Sequence, residues 1–204
     1  TLARLEAYGD LLLRWSRAIN LVSRARLPDL WRRHMFDSAQ LLPLMPPPPP
    51  DRSRIVVDLG SGAGFPGLVL AILGAGEVHL VEADAKKAAF LREAARITGT
   101  EVALHMTRIE HLTPFPADVV TARALAPLPR LIGYAAPFLR PDGSASGIAS
   151  GAVSGAGDPV ALFPKGRDVE RELTDSHEMW KISVDVLPSR SDPEGRIVRL
   201  RLVA

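Results

Sequence analysis

The chain has 204 residues, 47% of them hydrophobic and 24% charged, with a formal net charge of +2; that is one domain with some elaboration, and enough apolar content for a real core. Cysteine is absent, which excludes disulfides, cysteine-ligated metals and methylation of pyrimidine C5 through a cysteine adduct. No apolar run of roughly 18 residues and no charged-then-apolar leader is found, so neither a membrane span nor a signal peptide is expected and the cytoplasm is the default compartment. The basic residues are mostly Arg, whose planar fork suits phosphates and base edges. The accompanying wealth of Ala, Gly and Pro ties part of that bias to nucleotide composition.

Leu5, Tyr8, Leu12, Trp15, Ile19 and Val22 recur at three- and four-residue spacing, which predicts an amphipathic helix over Leu2–Val22. A second helix is expected from Leu27 or Pro28 to Met45, with Pro28 suited to its first turn. Arg32, Arg33, His34, Asp37 and Ser38 concentrate polar groups within two turns of it. His34 and Asp37 lie three residues apart, a spacing that serves a structural pair as well as a functional one. Pro46–Pro50 are five consecutive prolines, which can join neither a helix nor a central strand and read as a spacer. Residues 1–50 are thus expected to form a helical extension and linker, and residues 51–204 the main domain.

The stretch Arg54-Ile-Val-Val-Asp-Leu-Gly-Ser-Gly-Ala-Gly-Phe-Pro-Gly67 organises the rest. Ile55–Leu59 reads as a buried strand, and the segment from Pro66 to Leu73 as a helix. Between them, glycines allow positive φ and let a ligand lie against bare main chain. The helix N-terminus adds free N–H groups and a positive dipole end. Gly62, Gly64 and Gly67 satisfy the dinucleotide spacing G-x-G-x-x-G. Gly60, Gly62 and Gly64 satisfy the tighter G-x-G-x-G spacing of S-adenosylmethionine loops. Asp58, two residues before the first glycine, would repel a pyrophosphate and attract the ammonium of a methionine moiety. Glu82, at the end of the next apolar strand Val78–Val81, can accept ribose hydroxyls from either ligand.

From Arg54 onward strands and helices alternate, the pattern of an α/β parallel sheet covered on both faces. A helix is expected over Ala85–Thr98 with Gly99 as its C-cap, strands at Glu101–His105 and Asp118–Thr121, and a helix over Leu128–Leu139. Pro141-Asp-Gly143 reads as a turn. Ser144–Gly157 is small-residue-rich and resembles a linker, so the fifth strand is expected to be weak or delayed to Val160–Phe163. Asp168–Glu178 reads as a helix, and Trp180–Leu187 with Arg196–Val203 as a terminal antiparallel hairpin.

Arg33-His-Met-Phe-Asp-Ser38, Val57-Asp-Leu-Gly-Ser-Gly-Ala-Gly-Phe-Pro-Gly67, Leu80-Val-Glu-Ala-Asp-Ala-Lys-Lys-Ala-Ala-Phe-Leu-Arg92, Thr107-Arg-Ile-Glu110, Ala122-Arg-Ala-Leu-Ala126 and Lys165-Gly166 occur in this order. Together they resemble the RsmG (GidB) family of bacterial methyltransferases, which modify N7 of a guanine in 16S ribosomal RNA. The resemblance implies a class-I S-adenosylmethionine-dependent fold: a Rossmann-like, mostly parallel seven-stranded sheet with an antiparallel C-terminal strand. It implies S-adenosylmethionine contacts at Gly60, Gly62, Phe65, Glu82, Ile109, Glu110 and Arg123, beside Asp58. It also implies a positioning role in the reaction for Arg123. The RNA of the small subunit is expected against Arg33, His34, Asp37, Ser38 and Lys165, with Arg32 and Arg167 near them. The Ser144–Pro159 stretch departs from the family, whose members pass from the turn into the fifth strand more directly.

Guanine N7 carries a lone pair and no proton, so its methylation needs alignment and water exclusion rather than a general base. No Ser/His/Asp set, metal-ligand cluster or Asn-Pro-Pro-aromatic segment is present in the sequence. The expected protein is a metal-free monomer acting on RNA. The alternatives are a class-I methyltransferase for another RNA or a small molecule, a dinucleotide-dependent oxidoreductase, which Asp58 disfavours, and a non-catalytic scaffold, which the intact glycines and Glu82 disfavour.

Overall fold

In the computed structural model, which describes residues 1–140 and 157–203, Ile55–Leu59 forms the inner strand β1. It pairs in parallel with β2 (Glu77–Val81) on one side and β4 (Val119–Ala122) on the other. Beyond them lie β3 (Ala103–His105) and β5 (Val160–Lys165), also parallel. β7 (Arg196–Leu202) runs antiparallel to β5 and pairs with the edge strand β6 (Ile182–Pro188), giving the order β3-β2-β1-β4-β5-β7-β6. The order reverses between β1 and β4, where open α/β sheets bind ligands at the carboxyl ends of their strands.

Both faces of the sheet are covered, which is why its inner strands are continuous apolar runs rather than alternating ones. Val56 and Leu80 face a core shared with Leu5, Tyr8, Phe65, Phe90 and Leu91. Val57, Leu59 and Val81 face the other, shared with Leu131, Phe138, Phe163 and Leu173. The first core lies under α1 (Leu2–Trp15), α3 (Gly67–Ile72) and α4 (Ala85–Thr98), the second under α5 (Leu128–Leu139) and α6 (Val169–Met179). Asp84 caps α4 by accepting from the N–H groups of Lys86 and Lys87, and Gly99 closes it at φ +56°.

The N-terminal segment differs from its expectation. α1 stops at Trp15, and the chain turns on the bonds Ala18 N–H to Trp15 O and Ile19 N–H to Trp15 O. Ile19 and Val22 still pack on the core from outside a helix, so their spacing mimicked a longer one. The expected second helix is four short pieces: a 3₁₀ turn Arg24–Asp29, a π-helical turn Trp31–Phe36, the α-helical turn α2 (Asp37–Ala39) and a 3₁₀ turn Leu42–Leu44. Pro28 and Pro43 each lack the N–H that a continuous ladder needs. His34 and Met35 of the π turn and Ser38 of α2 all face inward. These pieces share the first core through Leu30, Met35 and Leu41. Pro46–Pro50 contains no helix or strand, and Arg54 holds it by donating to Pro46 O at 2.9 Å.

The expected turn at Pro141–Gly143 and nearly all of the small-residue segment, residues 144–156, lie outside the described residues. β5 begins at Val160, as the delayed alternative had it, opposite Val119 of β4. No helix among the described residues is long and apolar enough to cross a membrane.

Candidate active site

The glycine loop leaves β1 with Gly60, Gly62 and Gly64 all at positive φ. Beneath it Asp58 is fully buried. One carboxylate oxygen accepts from Thr121 Oγ1 at 2.7 Å and the other from Gly67 N at 3.1 Å, tying β1, β4 and the first turn of α3 together. A Cβ on Gly67 would come within 2.6 Å of Asp58 Cβ, so only glycine permits this approach. Burial pushes the Asp58 carboxyl up to about 6, while the Thr121 and Gly67 hydrogen bonds oppose it. The expected attraction of a ligand's ammonium by Asp58 is therefore corrected. Asp58 shares the face of Val56 under α3, has no accessible surface and supports the loop from below.

Glu82 follows β2 and reaches back to the same loop. Its Oε2 accepts from Gly62 N at 2.8 Å and its Oε1 from Asp84 N at 2.8 Å. A carboxylate offers about four lone-pair sites, so two hydrogen bonds leave room for hydroxyl donors. Space exists beside it, because a Cβ on Gly62 would meet only Gly60 O, at 3.8 Å. Ile109 and Glu110 sit on a 3₁₀ turn (Ile109–His111) that follows β3. Ile109 packs on the second core, whereas Glu110 is exposed and accepts from Tyr134 Oη at 2.8 Å. Its own backbone N–H and Tyr134 hold Glu110 below the usual carboxylate range.

Arg123 follows β4, and Ala124 after it takes φ +53°, which turns the chain sharply there. The Arg123 side chain is largely buried and meets the N-terminal segment. Nη1 donates to Arg33 O and to Asp37 Oδ2, both at 3.1 Å, and Nη2 meets His34 Nδ1. Its guanidinium lies 5.3 Å from the Phe65 ring centroid, and His34 stacks on Phe65 at 4.9 Å with 23° between planes. Burial holds the Arg123 guanidinium below its ordinary pKa, and the Asp37 carboxylate opposes that shift. Tyr8 also packs on Phe65 and donates its hydroxyl to Ala63 O. The π turn, the glycine loop and the end of β4 thus meet at one point.

A cavity of about 340 Å³ opens beside Arg123, lined by Arg33, Asp37, Lys165, Glu172 and Asp192 among others. Part of its wall is the turn between β6 and β7, which is bonded to the π turn. Ser191 Oγ donates to Asp37 Oδ1 at 2.5 Å, Arg32 donates to Ser191 O at 2.7 Å, and Arg33 pairs with Asp192. Gln40 joins them by donating to Ser189 Oγ at 3.1 Å and accepting from Arg190 N at 2.8 Å. Lys165 points into the cavity and pairs with Glu172 at 2.6 Å.

Several expected RNA contacts have other partners. Ser38 has no accessible surface and donates to His34 O at 2.6 Å, so its expected contact with RNA is corrected. His34 is buried between Phe65 and Arg123, which likewise corrects its expected RNA contact to a support of the arginine. Asp37 keeps a place on the cavity wall while holding Arg123. Arg32 and Arg167 are exposed but paired with Asp29 and Glu194. Sequence reasoning missed Gln40, Ser189, Ser191 and Asp192. Gln40 lay unmarked in the expected second helix; the region of the other three carried only a turn signal, and no local pattern links it to residues about 150 positions earlier. Among the described residues no group of three or more His, Cys, Asp or Glu is placed to hold a metal ion.

Comparison with known proteins bears on this arrangement. The family model described as GidB, rRNA small subunit methyltransferase G, matches residues 1–148. That stretch includes both the Arg33–Ser38 segment and Arg123. A protein of Rhodospirillum rubrum named ribosomal RNA small subunit methyltransferase G is 54% identical over 200 residues, which cover 98% of this chain and 90% of that protein. Its namesake in Rhodospirillum centenum is 51% identical over 204 residues, covering 100% and 85%. Solved structures share the fold at low identity. A putative O-methyltransferase from Klebsiella pneumoniae superimposes with a TM-score of 0.60 at 15% identity, covering 98% of this chain and 90% of that one. M. jannaschii TYW2 in complex with AdoMet gives 0.56 at 12% identity, covering 92% and 80%. The family model and these relatives extend through the segments that converge on Arg123: the chain belongs to the rRNA small subunit methyltransferase G family.

Proposed function

We propose that this chain transfers a methyl group from S-adenosylmethionine to N7 of one guanine in the 16S RNA of the small ribosomal subunit. The observation that carries the reading is the junction at Arg123. There the segment Arg33–Ser38 lies against Phe65 of the glycine loop, so donor and acceptor sites share a wall. When bound, S-adenosylmethionine supplies an electrophilic methyl on a sulfonium. Gly60 and Gly62 give main-chain approach to it. Glu82 accepts hydroxyls of its ribose. Ile109 offers an apolar wall and Glu110 a polar or main-chain contact for its adenine, and Phe65 closes the loop side.

The target guanine enters the cavity between Arg123 and Lys165. Its N7 has no proton to lose, so catalysis here is alignment. Arg123 fixes the base and the donor against each other, itself held by Asp37, His34 and Phe65. Lys165 and Arg33 face the RNA backbone, so binding weakens as salt rises. In this reading residues 1–50 are an extension that completes the acceptor side of a methyltransferase domain over residues 51–204. One chain contains every element of the site, which supports a monomer. The reaction belongs to the cytoplasm, where small subunits are made.

The test is methyl transfer from labelled S-adenosylmethionine to unmodified small-subunit particles and naked 16S RNA, with the product mapped by nuclease digestion and mass spectrometry. Label recovered as 7-methylguanosine at one position is the expected result. No transfer to either substrate, with adenosylhomocysteine still bound, overturns the ribosomal part and leaves another RNA or a small molecule as acceptor.

A further inference from the structure

Phe36 ends the π turn and faces outward. It is 40% exposed, whereas His34, Met35 and Ser38 around it are buried. Arg190 lies over the ring, its Cζ 5.8 Å from the centroid. Arg190 sits between Ser189 and Ser191, both of which line the cavity beside Arg123. Its backbone is fixed by the 2.8 Å bond from Arg190 N to Gln40 Oε1, which ties the turn to the segment that carries Phe36. The pair therefore stands at the cavity rim on a braced frame.

Arg190 differs from most cations near it in its pairing. Arg32, Arg33, Arg123, Lys165 and Arg167 each face a carboxylate. Arg190 is exposed and makes no ion pair among the described residues. Of the cations that line the cavity, Arg33, Arg123 and Lys165 are compensated by carboxylates, whereas Arg196 donates only to the carbonyls of Pro193 and Gly195. Arg190 at the rim adds a cation whose charge is available to a ligand, and of these two it is the one that lies over an aromatic ring. An exposed aromatic face beside a planar cation is what stacks an unpaired base and neutralises its phosphate.

We propose that Phe36 and Arg190 form a stacking platform for an unpaired nucleotide adjacent to the target guanine, and so set the path of the RNA strand into the cavity. The proposal rests on the reading of RNA as the acceptor. The platform reads the face of a base and its phosphate, so it orients the strand without demanding a particular base at that position. The guanidinium covers the ring in the absence of RNA and moves to the phosphate as the base takes the face.

The experiment compares wild type with F36L, F36W, R190A and R190K on naked 16S RNA and on assembled particles, measuring kcat and KM for RNA at several salt concentrations. Thermal shift by adenosylhomocysteine checks fold and cofactor site in each variant. F36L and R190A are expected to raise KM for naked RNA roughly tenfold with kcat and the thermal shift unchanged, since stacking contacts are worth about that much. F36W restores KM because it keeps a π face. R190A also lowers the slope of log KM against log salt by about one, and R190K does not. Unchanged KM in F36L, or equal loss in F36L and F36W, overturns the platform. A defect on particles alone also overturns it, because the surface would then hold a ribosomal protein. If wild type transfers no methyl to RNA, the acceptor reading has failed. Fluorescence anisotropy with a single-stranded oligonucleotide then decides the platform: weaker binding by F36L upholds it, and equal binding overturns it.

Discussion

Asp37 and Arg123 meet at 3.1 Å across 86 residues of chain. The same carboxylate accepts from Ser191 Oγ on its other oxygen. One side chain thus holds the arginine at the end of β4 and the turn that closes the cavity. Both members of the ion pair are largely buried, at 16% and 17% exposure. Removing one member of such a pair leaves an uncompensated charge and costs about 3 kcal/mol. Asp37→Ala is expected to lower stability by that order in urea unfolding and to reduce turnover more than cofactor affinity. Asp37→Asn keeps the size and some hydrogen bonds but leaves the Arg123 charge equally uncompensated, so it recovers only a minor part of the stability and none of the turnover.

Asp58 predicts a particular dependence of stability on pH. Its folded pKa of about 6 lies above the ordinary 3.8, so the folded state holds the proton more tightly than the unfolded chain does. Stability from this group is therefore greatest below about pH 4 and falls as pH rises through 6, by about 3 kcal/mol at most. Asp58→Asn cannot titrate. Wild-type stability relative to this variant is expected to decline between pH 4 and 6 and to be flat above 7, measured by chemical denaturation. A difference that stayed constant with pH would contradict the buried, proton-holding Asp58.

Glu82 is expected to matter first for cofactor. Glu82→Gln replaces one of two accepting oxygens with a donor, facing either Gly62 N or Asp84 N. Hydrogen bonds to a charged group contribute about 1.5–3 kcal/mol. Calorimetric titration with adenosylhomocysteine should show affinity weakened by about ten- to hundredfold, with far-UV circular dichroism unchanged.

Tyr8 links the first helix to the glycine loop through its hydroxyl on Ala63 O. Tyr8→Phe removes the donor and leaves a buried carbonyl without it, at a cost of about 1–3 kcal/mol. The melting temperature should fall accordingly. The thermal shift by adenosylhomocysteine should also shrink, because the loop loses a tether.

The sheet and its helices were legible because their signals are local. Ala85–Thr98 and Leu128–Leu139 are helices at the expected residues, as a glycine cap and unbroken apolar periodicity require. The start and apolar face of the first helix were legible; its end and the segment after it were not. Residues 24–44 break into 3₁₀, π and α turns, while the contacts of His34 with Phe65 and Arg123 join parts of the chain far apart in sequence. Asp58 illustrates a signal that was present and misread. Alternation along Ile55–Leu59 puts Asp58 on the face of Val56, the one α3 covers, so its burial followed from the strand's period of two. A carboxylate before a glycine loop looks the same in sequence whether it meets a ligand or holds the loop from beneath. The wall formed by Ser189–Asp192 had no local signature at all, since polar residues at a hairpin turn are what any exposed turn contains.

The bond between Arg32 and Ser191 O spans 159 residues, and that distance is also an interval of time. A ribosome adding about 5–20 residues per second delivers the two sides of the cavity on the order of ten seconds apart. The glycine loop, Glu82 and Arg123 all emerge in between. In the proposed reading, the nascent chain therefore gains a place for the methyl donor well before it gains an enclosed place for the acceptor, because the hairpin that closes the cavity follows both.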